Sequence, residues 1–152
     1  MPLKLDLKTG EKMIINGAVL ENVGNNAQML VLNKASILRE REILAQQDAV
    51  TPASRVYFEI QCAYIFRESR DEHLKRYASF LRDYLQACPS AQDIGDTIGG
   101  HVENGDLYKA LKATRKLITH EMNTFDQFHQ SVGKLAEISE EGEADSAAQG
   151  SL

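Results

Sequence analysis

Catalysis needs side chains that converge, and the nucleophiles, bases and metal ligands of this chain stay apart in sequence. The four histidines, His73, His101, His120 and His129, fall singly on stretches of helical spacing and form neither an HExxH nor an HxH pair. No metal site is indicated. Cys62 and Cys88 lie on different predicted helices without a CxxC pattern, which reads as two buried reduced thiols rather than a redox or zinc motif. The run Thr9-Gly10-Glu11-Lys12-Met13 holds a glycine and a lysine but lacks the upstream glycine and the following helix of a phosphate loop, so it reads as a turn between strands. Glu40 and Glu42 alternate with Arg39 and Arg41, a pattern of solvated carboxylates rather than of an acid–base pair. With no catalytic residue, metal or cofactor indicated, the residues alone give a soluble α+β domain with no visible active site, and the expectation is that it is not an enzyme.

The residues best placed to bind are cations. Lys8, Lys12, Lys34, Arg39 and Arg41 flank turns or strand ends, where long side chains reach along a sheet edge toward phosphates or exposed bases. No aromatic residue occurs between Met1 and Val56. The stacking platform of many single-strand binders is therefore absent from this half; these cations are either solvated surface charge or, if RNA is the ligand, contacts made with Arg, Lys, Asn and backbone groups.

The elements that must hold those cations follow from periodicity. Leu3, Leu5 and Leu7 alternate with Lys4, Asp6 and Lys8, a strand with one buried and one wet face. Thr9-Gly10 is a turn, Met13 to Ile15 a second strand, and Asn16-Gly17 a strong hairpin signal because it tolerates positive φ. Ala18 to Asn22 returns, Gly24-Asn25-Asn26 turns again, Ala27 to Asn33 is a fourth strand and Ser36 to Arg39 a fifth. Ala45 to Val50 is a polar linker.

Thr51-Pro52 then starts a helix, with Pro at the first position, where its missing N–H costs nothing. Val56, Ile60, Ala63 and Tyr64 mark its buried face, and it ends near Arg67 or Glu68. A second helix, capped by Ser69 or Asp71, carries Leu74, Tyr77, Leu81, Leu85 and Cys88 until Pro89 stops it. Ile94, Ile98 and Val102 define a third, weakened by Gly95, Gly99 and Gly100 at about 1 kcal/mol each relative to alanine. Gly105 reads as a C-cap and Asp106 as an N-cap. From Leu107 the apolar positions Leu111, Ile118, Met122, Phe125, Phe128, Val132 and Leu135 continue at three- and four-residue steps. Phe125 and Phe128 need cover from the domain or from another chain.

The fold class is α+β: an N-terminal antiparallel β-sheet or small barrel of four to five short strands over residues 1–50, then a four-helix region over 51–138 packed with it as one domain. Residues 139–152, acidic and small, are expected to be disordered. The formal net charge is −5, and Glu137, Glu140, Glu141, Glu143 and Asp145 account for all of it. Residues 1–55 hold seven Lys/Arg against six Asp/Glu, so neither half is a strongly basic module and charge alone makes no nucleic-acid case. No run reaches the roughly 20 apolar residues of a membrane span, and the expected location is the cytoplasm. Five short strands leave open edges, which predicts a homodimer.

The segments TGEKMIINGAVLEN, LNKASILREREIL, TPASRVYF and NGDLYKALKATRKLI occur here in an order and spacing that resembles the FlbT family of flagellin regulators across residues 1–122. That resemblance implies a post-transcriptional regulator that binds the 5′ leader of flagellin mRNA and controls its translation or stability, in concert with a FlaF-type flagellar protein. The family includes repressing and activating members. Most matching positions have a structural reason, which leaves the polar Lys12, Arg39, Arg41, Tyr108 and Lys109 for function. The strand order around GEKMII and MLVLN is also similar to the small carbon-storage-regulator family, by which Arg39, closing the last strand, would be the leading RNA contact. The expected RNA-binding residues are Lys12, Lys34, Arg39 and Arg41, and the expected partner-binding residues are Tyr108, Lys109, Phe125 and Phe128. An alternative reading is a protein-interaction module that binds FlaF or flagellin through its helices and affects RNA only indirectly.

Overall fold

A computed structural model describes residues 2–149, with side chains through Ser139. Five strands come first: β1 (Leu3–Leu7), β2 (Lys12–Ile15), β3 (Ala18–Glu21), β4 (Ala27–Val31) and β5 (Ile37–Arg39). Four helices follow: α1 (Pro52–Ile65), α2 (Arg70–Ala87), α3 (Gln92–Glu103) and α4 (Leu107–Gln149). This is the α+β order that the periodicity implies. The chain forms two compact units, one through Leu117 and one from Ile118 onward.

In the first unit the strands form two antiparallel sheets rather than one. β2 is the centre of a three-stranded sheet in the order β3-β2-β5, and β1 pairs with β4 in a separate ribbon. A strand has only two edges, and β2 uses both of its own. β3 takes the first through the two-residue Asn16-Gly17 loop, whose residues have φ of +50° and +87°, as a tight hairpin of twisted strands requires. β5 takes the second, with Met13 opposite Arg39 and Ile15 opposite Ile37. β1 therefore pairs further along the chain, with Leu5 opposite Met29.

The two sheets meet through Leu5, Leu7, Met13 and Ile37, with Ile15, Val31 and Ala35 packed around them. On the opposite face of the three-stranded sheet, Ile14 and Leu38 are also buried. There α1 is fastened to β5. The Tyr64 hydroxyl accepts from the Ile37 N–H at 3.0 Å and donates to its carbonyl at 3.4 Å. Gln61 holds the preceding loop as a strand would, its amide donating to the Leu44 carbonyl at 2.9 Å and accepting from the Leu44 N–H at 2.8 Å.

The helix signals act as their chemistry requires. Thr51 caps α1 by accepting from the Ser54 N–H, while the Ser54 hydroxyl accepts from the Thr51 N–H. α2 ends two residues before Pro89. Gly105, at φ +75°, closes α3, and Asp106 accepts from the Lys109 N–H at the start of α4. Gly95 lets α3 approach α2 closely, since a Cβ there would stand 2.6 Å from a methyl of Leu85. The second unit is α4 from Ile118, and its backbone helix continues to Gln149. The tail expected to be disordered, residues 139–152, lies from Glu140 onward outside the residues whose side chains are described. No helix among the described residues is long and apolar enough to cross a membrane.

Candidate nucleic-acid interface

The cations of the first unit take their positions from β5 and the turn after it. Arg39 ends the strand, half-buried. Glu40–Glu42 then form one turn of 3-10 helix, which leaves Glu40 and Arg41 exposed and sends Glu42 inward. Across from them, β1 runs into the Thr9-Gly10 turn, where Gly10 has φ +80° and the Lys8 N–H donates to the Glu11 carboxylate at 2.9 Å. Between the two lies an open hollow of about 550 Å³. Lys8, Thr9 and Gly10 line one side and Arg39 and Arg41 the other, with Asp6, Glu11 and Glu40 also in the lining. Among the described residues, no carboxylate stands within 4.0 Å of the charged ends of Lys8, Arg39 or Arg41. Three cations around a small polar hollow can take a phosphodiester and the edges of adjoining bases. The interleaved carboxylates limit a long run of phosphates.

Glu42 explains why these arginines remain available. The charged run suggests that Glu42 is solvated, but its side chain is only 8% exposed. One carboxylate oxygen accepts from the Arg39 N–H at 3.1 Å, and the other accepts from the Tyr108 hydroxyl at 2.8 Å with the Arg115 guanidinium 4.0 Å away. The Glu42 carbonyl accepts from the Tyr57 hydroxyl at 2.6 Å. A buried carboxylate persists only when its lone pairs are filled. Here β5 and the first turns of α4 fill them while α1 holds the Glu42 backbone, and the charge is turned away from the neighbouring Arg39 and Arg41 side chains.

The tyrosines around this carboxylate are held protonated. Burial, then the hydrogen bond to Glu42 and its negative charge, push the Tyr108 hydroxyl up to about 12. Burial raises Tyr57 as well, with the Arg115 guanidinium opposing it. The Tyr108 ring packs against that of Tyr64 at 5.7 Å, and the Lys112 ammonium stands 4.8 Å above it.

The four expected RNA contacts are thus not one platform. Arg39 and Arg41 share the hollow. Lys12 opens β2 opposite Glu21, and strand alternation puts it on the other face from Met13 and Arg39. Lys34 lines a different hollow, of about 710 Å³, with Asn16, Ser36, Phe66 and Arg67. Lys8, in the shared hollow, is not among the four expected contacts; its place at a strand end beside a Gly turn is the signal in the sequence. Of the expected partner contacts, Tyr108 is engaged by Glu42, and Lys109 is exposed with its ammonium 3.4 Å from Asp106. Phe125 and Phe128, in the second unit, are 60% and 64% exposed.

A second buried carboxylate, Glu59 of α1, was not legible in the sequence. It meets His73 Nδ1 at 2.7 Å and Arg76 Nε at 3.2 Å, and ties α1 to α2. The neighbouring Cys62 thiol is pushed up to about 11 by burial and by the Glu59 charge, so it is inert as a nucleophile. No group of three or more potential metal ligands gathers among the described residues.

Fold and site define a small α+β protein that presents a few cations around a hollow between the turn after β1 and the end of β5. Residues 3–125 match the family described as "Flagellar protein FlbT". A protein of Caulobacter sp. (strain K31), "Probable flagellum biosynthesis repressor protein FlbT", is 37% identical over 123 residues, covering 80% of this chain and 94% of the relative. "Probable flagellum biosynthesis repressor protein FlbT 1" of Bradyrhizobium diazoefficiens is 39% identical over 129 residues, 84% of this chain and 88% of the relative. "Flagellum biosynthesis repressor protein FlbT" of Caulobacter vibrioides (strain ATCC 19089) is 36% identical over 123 residues, 80% and 87% of the two chains. The chain belongs to the FlbT family of flagellar proteins. No solved structure matches it.

Proposed function

We propose that this protein is a post-transcriptional regulator of flagellin synthesis that binds the 5′ leader of flagellin mRNA and controls its translation or stability. Regulation of flagellar synthesis is supported by the relatives, which are named as repressors of flagellum biosynthesis. The RNA step is supported by one arrangement. Lys8, Arg39 and Arg41 surround an open hollow with no carboxylate of the described residues within 4.0 Å of their charged ends, while Glu42 is held inward by Tyr108, Arg115 and the Arg39 backbone. Contact is through phosphate and base edges rather than stacking, so affinity falls steeply with salt. The protein acts by occupying the leader and leaves cleavage to other factors.

The test uses purified protein free of any partner and a labelled flagellin leader in a gel-shift series. Retention by the native chain, lost in a Lys8→Ala, Arg39→Ala, Arg41→Ala triple variant, is the expected result. Equal retention by the variant would remove the hollow from the account. A second reading, a protein-interaction module that binds a FlaF-type protein or flagellin through its helices, is favoured by the exposed apolar residues of α4. Failure of the partner-free native chain to retain any leader would select that reading.

A further inference from the structure

The second unit poses a separate question, because it is one helix with a bare apolar side. From Met122 onward, Met122, Phe125, Phe128, Val132, Leu135 and Ile138 are between 46% and 64% exposed. The four central positions, Phe125, Phe128, Val132 and Leu135, are spaced three, four and three residues apart. That is the alternation of a and d positions in a two-stranded coiled coil, and a single helix cannot bury such a stripe against itself.

We propose that the stripe is covered by a second copy of this chain, the two α4 helices packing through Phe125, Phe128, Val132 and Leu135. Charge is the first reason. In this register the positions flanking the stripe are Met122, Thr124, His129, Ser131, Ala136 and Ile138, with no Lys, Arg, Asp or Glu among them. The charged residues Asp126, Lys134 and Glu137 fall on the outer positions. Partner choice in coiled coils is set by charges at the flanks, and like charges there would repel an identical helix. Between Met122 and Ile138 the helix carries no such veto against itself; Glu121, at the seam position before Phe125, ends the apolar stripe on that side.

The two hydroxyls on the flanks also need nothing from a partner. Thr124 donates to the His120 carbonyl at 2.8 Å and Ser131 to the Gln127 carbonyl at 3.0 Å. Covering these hydroxyls therefore strands no donor, whereas an unsatisfied one would oppose association. His129 lies with its ring 4.3 Å from that of Phe125 in an edge-on contact, which extends the apolar surface on one side.

Area is the third reason. Complete cover of the six exposed side chains on both copies would remove at most on the order of 1,300 Å², at the lower end of the ~1,200–2,000 Å² of a stable interface. This surface differs from the open strand edges of the first unit, and the two make different predictions.

Sedimentation equilibrium on the full chain distinguishes them. The native protein is expected to sediment at twice the 16.9 kDa of one chain at micromolar concentration. A Phe125→Glu, Phe128→Glu variant is expected to sediment as a single chain, its self-association weakened at least 100-fold. Asp126→Lys, on the outer side of the same helix, should leave the dimer intact. Because both phenylalanines are exposed, the double variant should keep the native circular dichroism spectrum of a folded chain. A native chain that stays single up to 100 µM would overturn the proposal, whether or not some other protein then binds α4. So would a double variant that still sediments as a dimer, which would place the contact on the strand edges.

Discussion

Between Leu107 and Leu117 the apolar side of α4 is buried, with Ala110, Leu111 and Leu117 at 0–1% exposure, whereas between Met122 and Ile138 side chains at the same spacing stay largely exposed. The two stretches are indistinguishable by periodicity. What separates them is what else the chain brings to each. The early turns meet Glu42 through Tyr108 and Arg115, and they bury Thr114 with its hydroxyl donated to the Ala110 carbonyl at 2.7 Å. The later turns, from Ile118, belong to a separate compact unit. Periodicity defines the apolar side of a helix, and long-range partners decide whether that side becomes core or interface.

The largest test of this contrast is in the core. Leu111→Ala or Leu117→Ala should lower unfolding stability by about 2–5 kcal/mol, the usual cost of a cavity at a closed site. Phe128→Ala, measured where the chain is monomeric, should change it by less than about 0.5 kcal/mol. Chemical denaturation of the three variants checks both ends of the helix, and a large loss in Phe128→Ala would erase the distinction.

The carboxylate that fastens the early turns comes next. Glu42→Ala removes the acceptor of the Arg39 N–H and of the Tyr108 hydroxyl and should cost about 2–3 kcal/mol, through groups left buried and unpaired. Glu42→Gln keeps an acceptor and should cost about half as much. Equal losses would mean that charge, rather than hydrogen bonding, holds the site.

Alkaline pH probes the same contact more gently. The Tyr108 hydroxyl has an ordinary value of 10.0 and is raised to about 12 by burial and by Glu42. A tyrosine raised on folding contributes stability that is whole below pH 10 and is lost as pH climbs toward 12, because the unfolded chain releases the proton first. Thermal unfolding should therefore weaken across that window, less steeply in Tyr108→Phe. An unchanged slope in the variant would place the alkaline sensitivity on the other groups that burial raises, Tyr57, Tyr64, Tyr77 and Cys62. The smallest effect belongs to Lys109→Ala. Its 3.4 Å pair with Asp106 is surface-exposed, and the change should stay within about 0.5 kcal/mol.

Local geometry was readable from residue types, and pairing was not. Asn16-Gly17, Thr51-Pro52, Pro89 and Gly105-Asp106 each dictate a backbone conformation within a few residues, and each does so here. The division of the strands between two sheets depends on which edge of β2 is taken by a strand some twenty residues away, which alternation does not encode. The site was half legible for the same reason. Lys8, Arg39 and Arg41 lie at turns and strand ends, as expected of residues that reach a ligand, but only the β2–β5 register puts Lys12 on the other face from Arg39. Glu42 gave no signal, since its burial requires Tyr108 and Arg115, more than sixty residues further along the chain.

Fluorescence anisotropy with a flagellin leader RNA, titrated against the native chain and two variants over a range of salt, tests the central claim most directly. Arg39→Ala with Arg41→Ala should weaken binding at least 10-fold and flatten the salt dependence by about two phosphate contacts. Lys12→Ala, on the opposite face of the sheet, should stay within about twofold of native. Native affinity in the arginine variant, or a Lys12→Ala loss as large as that of the arginine pair, would contradict the account.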